Sequence, residues 1–412
     1  MSALISLAPP EIEKSCKKLP QSPTDAAATL TCPSKMLLTQ CPACAAPLPD
    51  LTAKQCSRCK TRYCGPACQK KHWEEGGHDK LCRKIRKGGG AEQFYASRKC
   101  AEAVAVAAEA CAEDTKGQTC YICTQALHWK TKEGLVRGCA CRGTAGFVHV
   151  SCLVEQAKIL VAEAEENNLG NKMLCEKWTR WHTCSLCEQE YHSVVRCALG
   201  WACWKTYLGR PEADRILCWA MNQLGNGLGA VGHHADALPV QEAELSMLRR
   251  VGASHAHVLT VQNNIASSYH RLGRLEESLS IRRDIYSEWL RFFPKGNRES
   301  LRAATNYAAC LNALQRFEQA KRLLREVVPV AQRLVGDTDG VTLTLRANYA
   351  EALYANDDAT LDDLREAVTT LEDIERIARR GFGGAHPLVV QFEAALRLAR
   401  EILRACETLR GA

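Results

Sequence analysis

Residues 41–82 read CPACAAPLPDLTAKQCSRCKTRYCGPACQKKHWEEGGHDKLC, and the sulfur and imidazole groups in this stretch decide how the front of the chain folds. They fall as Cys41-x2-Cys44, Cys56-x2-Cys59, Cys64-x3-Cys68 and His78-x3-Cys82, eight ligands within 42 residues. Structural zinc takes four such groups in a tetrahedron, so eight imply two ions. A C-x-x-C step lets one tight knuckle aim both thiolates at one ion. A three-residue gap matches a helical turn instead, so the two later pairs fit a helical tail running through Gln69-Lys70-Lys71-His72-Trp73. So short a segment buries little apolar surface, and metal must supply its folding free energy, on the order of 10 kcal/mol per ion.

Around this stretch the chain runs to 412 residues, enough for two to four folded units. Twenty-two of its 24 cysteines precede residue 219, leaving only Cys310 and Cys406 beyond, so the first half reads as metal-built and the second does not. Met1–Lys35 lacks the apolar core of a secretory signal, which points to reduced thiols and metal binding rather than disulfides. No window approaches the ~18 uninterrupted apolar residues of a membrane span. The expectation is a soluble intracellular protein, cytoplasmic or nuclear, with no membrane partner. Residues 1–99 hold 17 Lys+Arg against 8 Asp+Glu, while the remaining 313 hold 37 against 38. The basic surplus, densest at Arg83-Lys84-Ile85-Arg86-Lys87, reads as a solvated linker, and nucleic acid is disfavoured as a partner. Residues 1–40, punctuated by Pro9-Pro10, Pro20, Pro23 and Pro33, read as a disordered lead. Gly88-Gly89-Gly90 breaks the chain, and Ala101–Ala112 makes a short helix, so 83–117 reads as linker plus helix.

The first cluster resembles the MYND zinc finger, whose signature is visible in CPAC, CSRC, Tyr63-Cys64, Cys68-Gln69, His72-Trp73 and His78-x3-Cys82. The resemblance implies interleaved sites over 41–82, with Cys41, Cys44, Cys64 and Cys68 on one ion and Cys56, Cys59, His78 and Cys82 on the other. The gap from Cys68 to His78 is nine residues, lengthened by Gly76-Gly77, which leaves His72 as a competing ligand. His78 is preferred because it keeps the order tryptophan, histidine, cysteine, and His72 is then a solvated helix residue. MYND fingers bind short proline-containing peptides, so partner docking is what the resemblance implies.

A second constellation lies within 118–192: Cys120-x2-Cys123, Cys139-x1-Cys141, His149-x2-Cys152 and Cys184-x2-Cys187. Its long gaps suit a cross-brace, in which first and third pairs share one zinc and second and fourth the other. The phrase GCACRGTAGFVHVSCL resembles the RING-CH (RING-variant) domain; a PHD finger has the same ligand order but a shorter gap before the histidine. The RING-CH resemblance implies a ubiquitin ligase that orients a charged conjugating enzyme, with no catalytic nucleophile of its own, and Ile122 matches the apolar residue that touches that enzyme. Against activity stand Leu153-Val154-Glu155-Gln156 in place of the family's tryptophan, the lack of a proline after Cys184, and Glu188 where a cation is common. AKILVAEAEENN, between Cys152 and Cys184, reads as an amphipathic helix. Cys175, Cys197, Cys203 and Cys218 read as small buried residues, His182 and His192 as groups beside the last ligands, and Trp178, Trp181, Trp201 and Trp204 as packing the module against the chain beyond it.

Residues 205–405 repeat. Leu224-Gly225, Ile265-Ala266, Tyr307-Ala308 and Tyr349-Ala350 recur at steps of 41, 42 and 42, with Asn264, Asn306 and Asn348 in register. Each is followed by a turn and a second helix carrying Ala237, Ser278, Ala320 or Ala367, small residues where helices touch. Tandem helix pairs must stack to bury their apolar faces. The LGRLEES-type turn resembles the long tetratricopeptide repeats of kinesin light chains, with HEAT-like repeats the runner-up. Four repeats and a closing helix over Leu388–Leu403 are expected, with an insertion at Asp357–Asp363. The asparagines either hold a peptide backbone in the inner groove or bond to neighbouring repeats.

The fold class is thus multi-domain: two small zinc-stapled modules, then an all-α tetratricopeptide-like solenoid. Four structural zinc ions and docking of proteins or peptides through the finger and the repeats are expected, with a ubiquitin-conjugating enzyme as a further candidate partner. An adaptor is the first reading, a RING-type ubiquitin ligase the second, and a chromatin-associated reader a weaker third.

Overall fold

A computed structural model describes residues 41–44, 46, 48, 53–293, 296–383 and 386–411. The expected disordered lead, 1–40, lies outside the described residues. The chain divides into two compact units, one ending at Asn264 and the other starting at Ile265.

The first unit opens with a two-stranded antiparallel ribbon, β1 Lys54–Gln55 and β2 Arg62–Tyr63, in register Lys54↔Tyr63. Helices α1 Pro66–Glu74 and α2 His78–Lys87 come next. Pro66 opens α1, where a missing N–H costs nothing. The αL glycine Gly77 (φ 71°) admits the chain to α2. The basic run expected as linker is the last turn of α2, whose apolar face buries Ile85 beneath the finger. The glycines do break the chain, but only for one turn: Gly89 and Gly90 take φ of 90° and 96°, and the Ala91 N–H then donates to the Cys59 carbonyl at 3.0 Å. The short helix expected from Ala101 is the twenty-residue α3, Ala91–Ala110. It starts early because Ala91, Phe94 and Tyr95 pack on the finger's core, while Ala96 and Cys100 join one downstream core and Ala107 and Cys111 another.

Past α3 lie α4 Val150–Glu166, α5 Gly170–Trp178, a 3-10 turn at Thr179–Trp181, and α6 Ser193–Tyr207. Helix α4 contains all but the last two residues of the expected amphipathic segment, burying Ala157, Val161 and Ala164 at helical spacing. Helices α7 Arg215–Ala230 and α8 His234–Arg250 form the first repeat. The boundary drawn between 192 and 205 does not separate two bodies. Helix α6 gives Val195, Ala198 and Leu199 to the core of the second cysteine module and Cys203, Trp204 and Tyr207 to the core that α7 shares. Trp178, Trp181 and Trp204 are fully buried there, with Trp178 and Trp219 centroids 5.2 Å apart.

Helix α9, His255–Arg271, spans the division between the units. The second unit continues with α10 Leu275–Phe292, α11 Arg298–Ala313, α12 Phe317–Val335, α13 Gly340–Tyr354, α14 Leu361–Phe382 and α15 Pro387–Gly411. Each helix from α10 to α14 packs on the next, and α11 also packs on α13, so alternate helices form an inner row. Ala266, Ser278, Ala308, Ala320, Ala350 and Ala367 are all fully buried where helices cross. The insertion resolves as a turn closed by a capping box, in which the Asp363 N–H donates to Thr360 Oγ1 at 3.1 Å and the Thr360 N–H to Asp363 Oδ2 at 2.9 Å. The closing helix is longer than expected. No described helix is long and apolar enough to cross a membrane.

Candidate metal centres

Four C-x-x-C knuckles share one backbone hydrogen bond. The N–H of the first cysteine donates to the carbonyl five residues on: Cys41 to Ala46 at 2.8 Å, Cys56 to Thr61 at 2.8 Å, Cys120 to Gln125 at 3.0 Å and Cys184 to Gln189 at 2.9 Å. In the last three, the residue after the second cysteine turns left-handed, at Lys60 (φ 64°), Thr124 (59°) and Glu188 (56°). Both thiols are thereby aimed the same way.

The expected ligands gather into four groups, each with its ligand atoms within 4.8 Å of one another: Cys41, Cys44, Cys64 and Cys68; Cys56, Cys59, His78 and Cys82; Cys120, Cys123, His149 and Cys152; Cys139, Cys141, Cys184 and Cys187. The finger's two groups therefore interleave along the chain, and in the second module the first pair gathers with the third and the second with the fourth, as a cross-brace requires. His78 Nε2 lies 3.4 Å from Cys59 Sγ. His72 stays outside the group: its Nδ1 shares a hydrogen bond of 3.0 Å with the Tyr63 hydroxyl, and its ring lies over Gly76, where a Cβ would stand 2.2 Å from His72 Cδ2. It is buried rather than solvated, because Tyr63 and His78 enclose it. His149 turns Nδ1 toward Cys123 Sγ at 3.3 Å, while Nε2 faces the Ala126 carbonyl at 3.4 Å and can donate to it, which fixes the ring. As N-cap of α4, His149 leaves the helix start uncapped, and Glu133 serves instead, accepting from the Ser151 N–H at 2.6 Å and the Ser151 hydroxyl at 2.8 Å.

Donor chemistry fits zinc. Four soft thiolates, in two of the groups, or three with one borderline imidazole, in the other two, are sets that structural zinc prefers, and four donors close its coordination shell. Electrostatics points the same way. Burial raises the Cys41 thiol, yet backbone N–H groups of Cys64, Ala43 and Cys44 aimed at its sulfur draw it down to about 6. Its neighbour Cys64 is pushed up to about 12 by contact with Cys68, Cys44 and Cys41. Thiolates this close cannot all ionise without a cation between them. The groups differ in access: Cys44 and Cys64 are exposed, whereas Cys56, Cys59, His78 and Cys82 are all buried.

The remaining cysteines, histidines and asparagines fall elsewhere. Cys197 and Cys203 are buried in apolar surroundings, Cys175 is buried, and Cys218 lies beside Glu244. His182 is held by Gln223 Nε2 at 2.8 Å, and burial with Arg196 and Arg180 nearby pushes its imidazole down to about 3. His192 is exposed. Asn348 is spent inside the stack, its amide donating to the Thr305 carbonyl of the preceding repeat at 3.1 Å. Ile122 stands 39% exposed on its knuckle.

Residues 39–82 match the model of the MYND finger family and are a zinc-binding MYND finger. Among solved structures, the chain is similar to a Podosopora anserina protein described as a kinesin light chain with nearly identical TPR-like repeats, at 16% identity over 57% of this chain and 98% of that one, TM-score 0.38. It is also similar to BtubC (BKLC) from P. vanneervenii, at 13% identity over 64% of this chain and 91% of that one, TM-score 0.38. The solenoid rests on the helix pairing itself rather than on these likenesses. No curated protein matches the chain.

Proposed function

We propose that this protein is a zinc-stapled interaction adaptor. The observation that carries the reading is that all four metal groups offer four nitrogen or sulfur donors, which would fill a tetrahedral ion and leave no open position for a substrate. Cys41, Cys44, Cys64, Cys68, Cys56, Cys59, His78 and Cys82 would hold the finger's two ions, and Cys120, Cys123, His149, Cys152, Cys139, Cys141, Cys184 and Cys187 those of the second module. Such metals build surfaces; they do not turn over. The finger and the repeats would each dock a protein or peptide. Cross-linking of the zinc-loaded full chain to bound partners tests this. Reproducible cross-links from both the finger and residues 265–411 are expected, and a chain that cross-links to no protein from either would overturn the reading.

A RING-CH-type ligase is the second reading, favoured by one feature. Ile122 and Leu186 occupy matching places in two knuckles, are 39% and 51% exposed, and are tied together by a 3.1 Å hydrogen bond between the Tyr121 hydroxyl and Ser185 Oγ. Two apolar side chains held at a fixed spacing are what an enzyme-docking face needs. Autoubiquitination across a panel of conjugating enzymes decides it: activity lost in Cys139→Ser and Ile122→Ala would support the ligase, and inactivity with every enzyme would sink it.

A further inference from the structure

Helix α2 has two faces of opposite character. Inward, His78, Cys82 and Ile85 are buried. Outward, Lys80, Arg83, Lys84 and Lys87 occupy the i, i+3, i+4 and i+7 places of one stripe, about 10 Å long at 1.5 Å per residue. All four are exposed, and none has an ion pair among the described residues. Exposed Lys54, Arg58, Lys60 and Lys71 on the same finger are equally unanswered; of its exposed cations among the described residues, only Lys70 meets an acid, Glu74 at 3.9 Å.

Local stability does not account for this stripe. Lys80 with Lys84, and Arg83 with Lys87, are like charges four apart, which destabilises a helix. The helix dipole favours the cations of the last turn, Lys84, Arg86 and Lys87, but Lys80 lies in the first turn, at the positive end. A face that works against its own helix points to something outside it.

We infer that this stripe docks an acidic segment of a protein partner, which deepens the adaptor reading and rests on it. Carboxylates along an extended chain, at about 3.3 Å per residue, fit four cations spread over that length. Trp73, 40% exposed with its ring 5.7 Å from His78, offers contact for one apolar residue flanking the acidic run. One exposed ring suits a peptide better than the series of rings on which successive bases stack.

The test is fluorescence anisotropy with the zinc-loaded full chain and a short labelled peptide alternating glutamate and serine. Binding is expected to weaken with salt. A variant carrying Lys80→Gln, Arg83→Gln, Lys84→Gln and Lys87→Gln is expected to bind at least roughly tenfold more weakly while melting no lower than the native chain, since it loses like-charge repulsion. Lys70→Gln should bind as the native chain does. No binding by the native chain, equal binding by the fourfold variant, or an oligonucleotide of equal charge bound more tightly than the peptide would each overturn the inference. Any of these leaves the adaptor reading standing if the finger or residues 265–411 still cross-link to partners, and only a chain that cross-links from neither would bring that reading down.

Discussion

Thr124 sits at φ 59°, where its branched Cβ crowds the backbone, because the second module's first knuckle must reverse between Cys123 and Gln125. The left-handed region costs an ordinary residue about 1–2 kcal/mol, and a β-branched one is the least suited to it. Thr124→Gly is therefore expected to stabilise the zinc-loaded chain by about 1 kcal/mol, read as a higher melting temperature; a lower one would show that the 2.7 Å bond from its hydroxyl to the Cys123 carbonyl outweighs the strain. Glu244 is strained electrostatically. It is fully buried on α8, Cys218 donates weakly to Oε1 at 3.8 Å, and Oε2 has no partner among the described residues. Burial raises its carboxyl to about 8, with Asn222 and Cys218 opposing, so the folded chain keeps it protonated where the unfolded chain ionises it. Its stability contribution is whole below the ordinary carboxylate range and is lost as pH rises toward 8. Glu244→Gln should thus gain on the native chain as pH rises from about 5 to 8, by up to a few kcal/mol in denaturant melts. A gap independent of pH would place the charge in water.

At the scale of elements, the crossing of α6 and α7 depends on two glycines. A Cβ on Gly200 would stand 2.8 Å from the Gln223 carbonyl oxygen, and one on Gly227 2.9 Å from that of Arg196. Neither neighbour is a side chain that can swing aside. Gly200→Ala and Gly227→Ala should each destabilise the chain by about 1–3 kcal/mol, measured by thermal melting, whereas Gly229→Ala, whose Cβ would meet only His234 at 3.8 Å, should not. Gly225 and the alanines in its register were legible because a 42-residue period repeats them; Gly200 and Gly227 belong to a junction that occurs once, so no periodicity betrays them. The gathering of cysteines and histidines into four groups was legible for a related reason, since metal demands particular atoms at particular spacings. Burial of His72 was not, because the groups that remove it from solvent are Tyr63, nine residues back, and Gly76 beneath its ring. Arg83–Lys87 read as linker because charge dominates the run, while the one residue that seats it, Ile85, is apolar and fully buried.

For the molecule as a whole, metal and apolar burial carry different parts of the chain. The second unit holds its own apolar cores, one around Leu301, Leu324 and Leu345 and another around Leu343, Leu371 and Phe392, with none of the expected zinc ligands in them. In the first unit, helix α3 links both cysteine modules, contributing Ala91 to the finger's core and Ala107 to that of the second. Stripping zinc should therefore propagate along α3 in the first unit and leave the second folded. Release should also be staggered, because Cys44 and Cys64 are open to solvent while every member of the Cys56, Cys59, His78 and Cys82 group is buried. A chromophoric chelator is expected to draw zinc in at least two phases. The fast phase should be abolished in Cys64→Ser, which alters only the exposed group. Hydrogen exchange monitored in parallel should show α2, α3 and α6 losing protection in the slow phase while α11 to α14 keep theirs. Loss of protection in α11 to α14 together with zinc would mean that the repeats, too, depend on metal, and that their apolar cores are not sufficient to hold them.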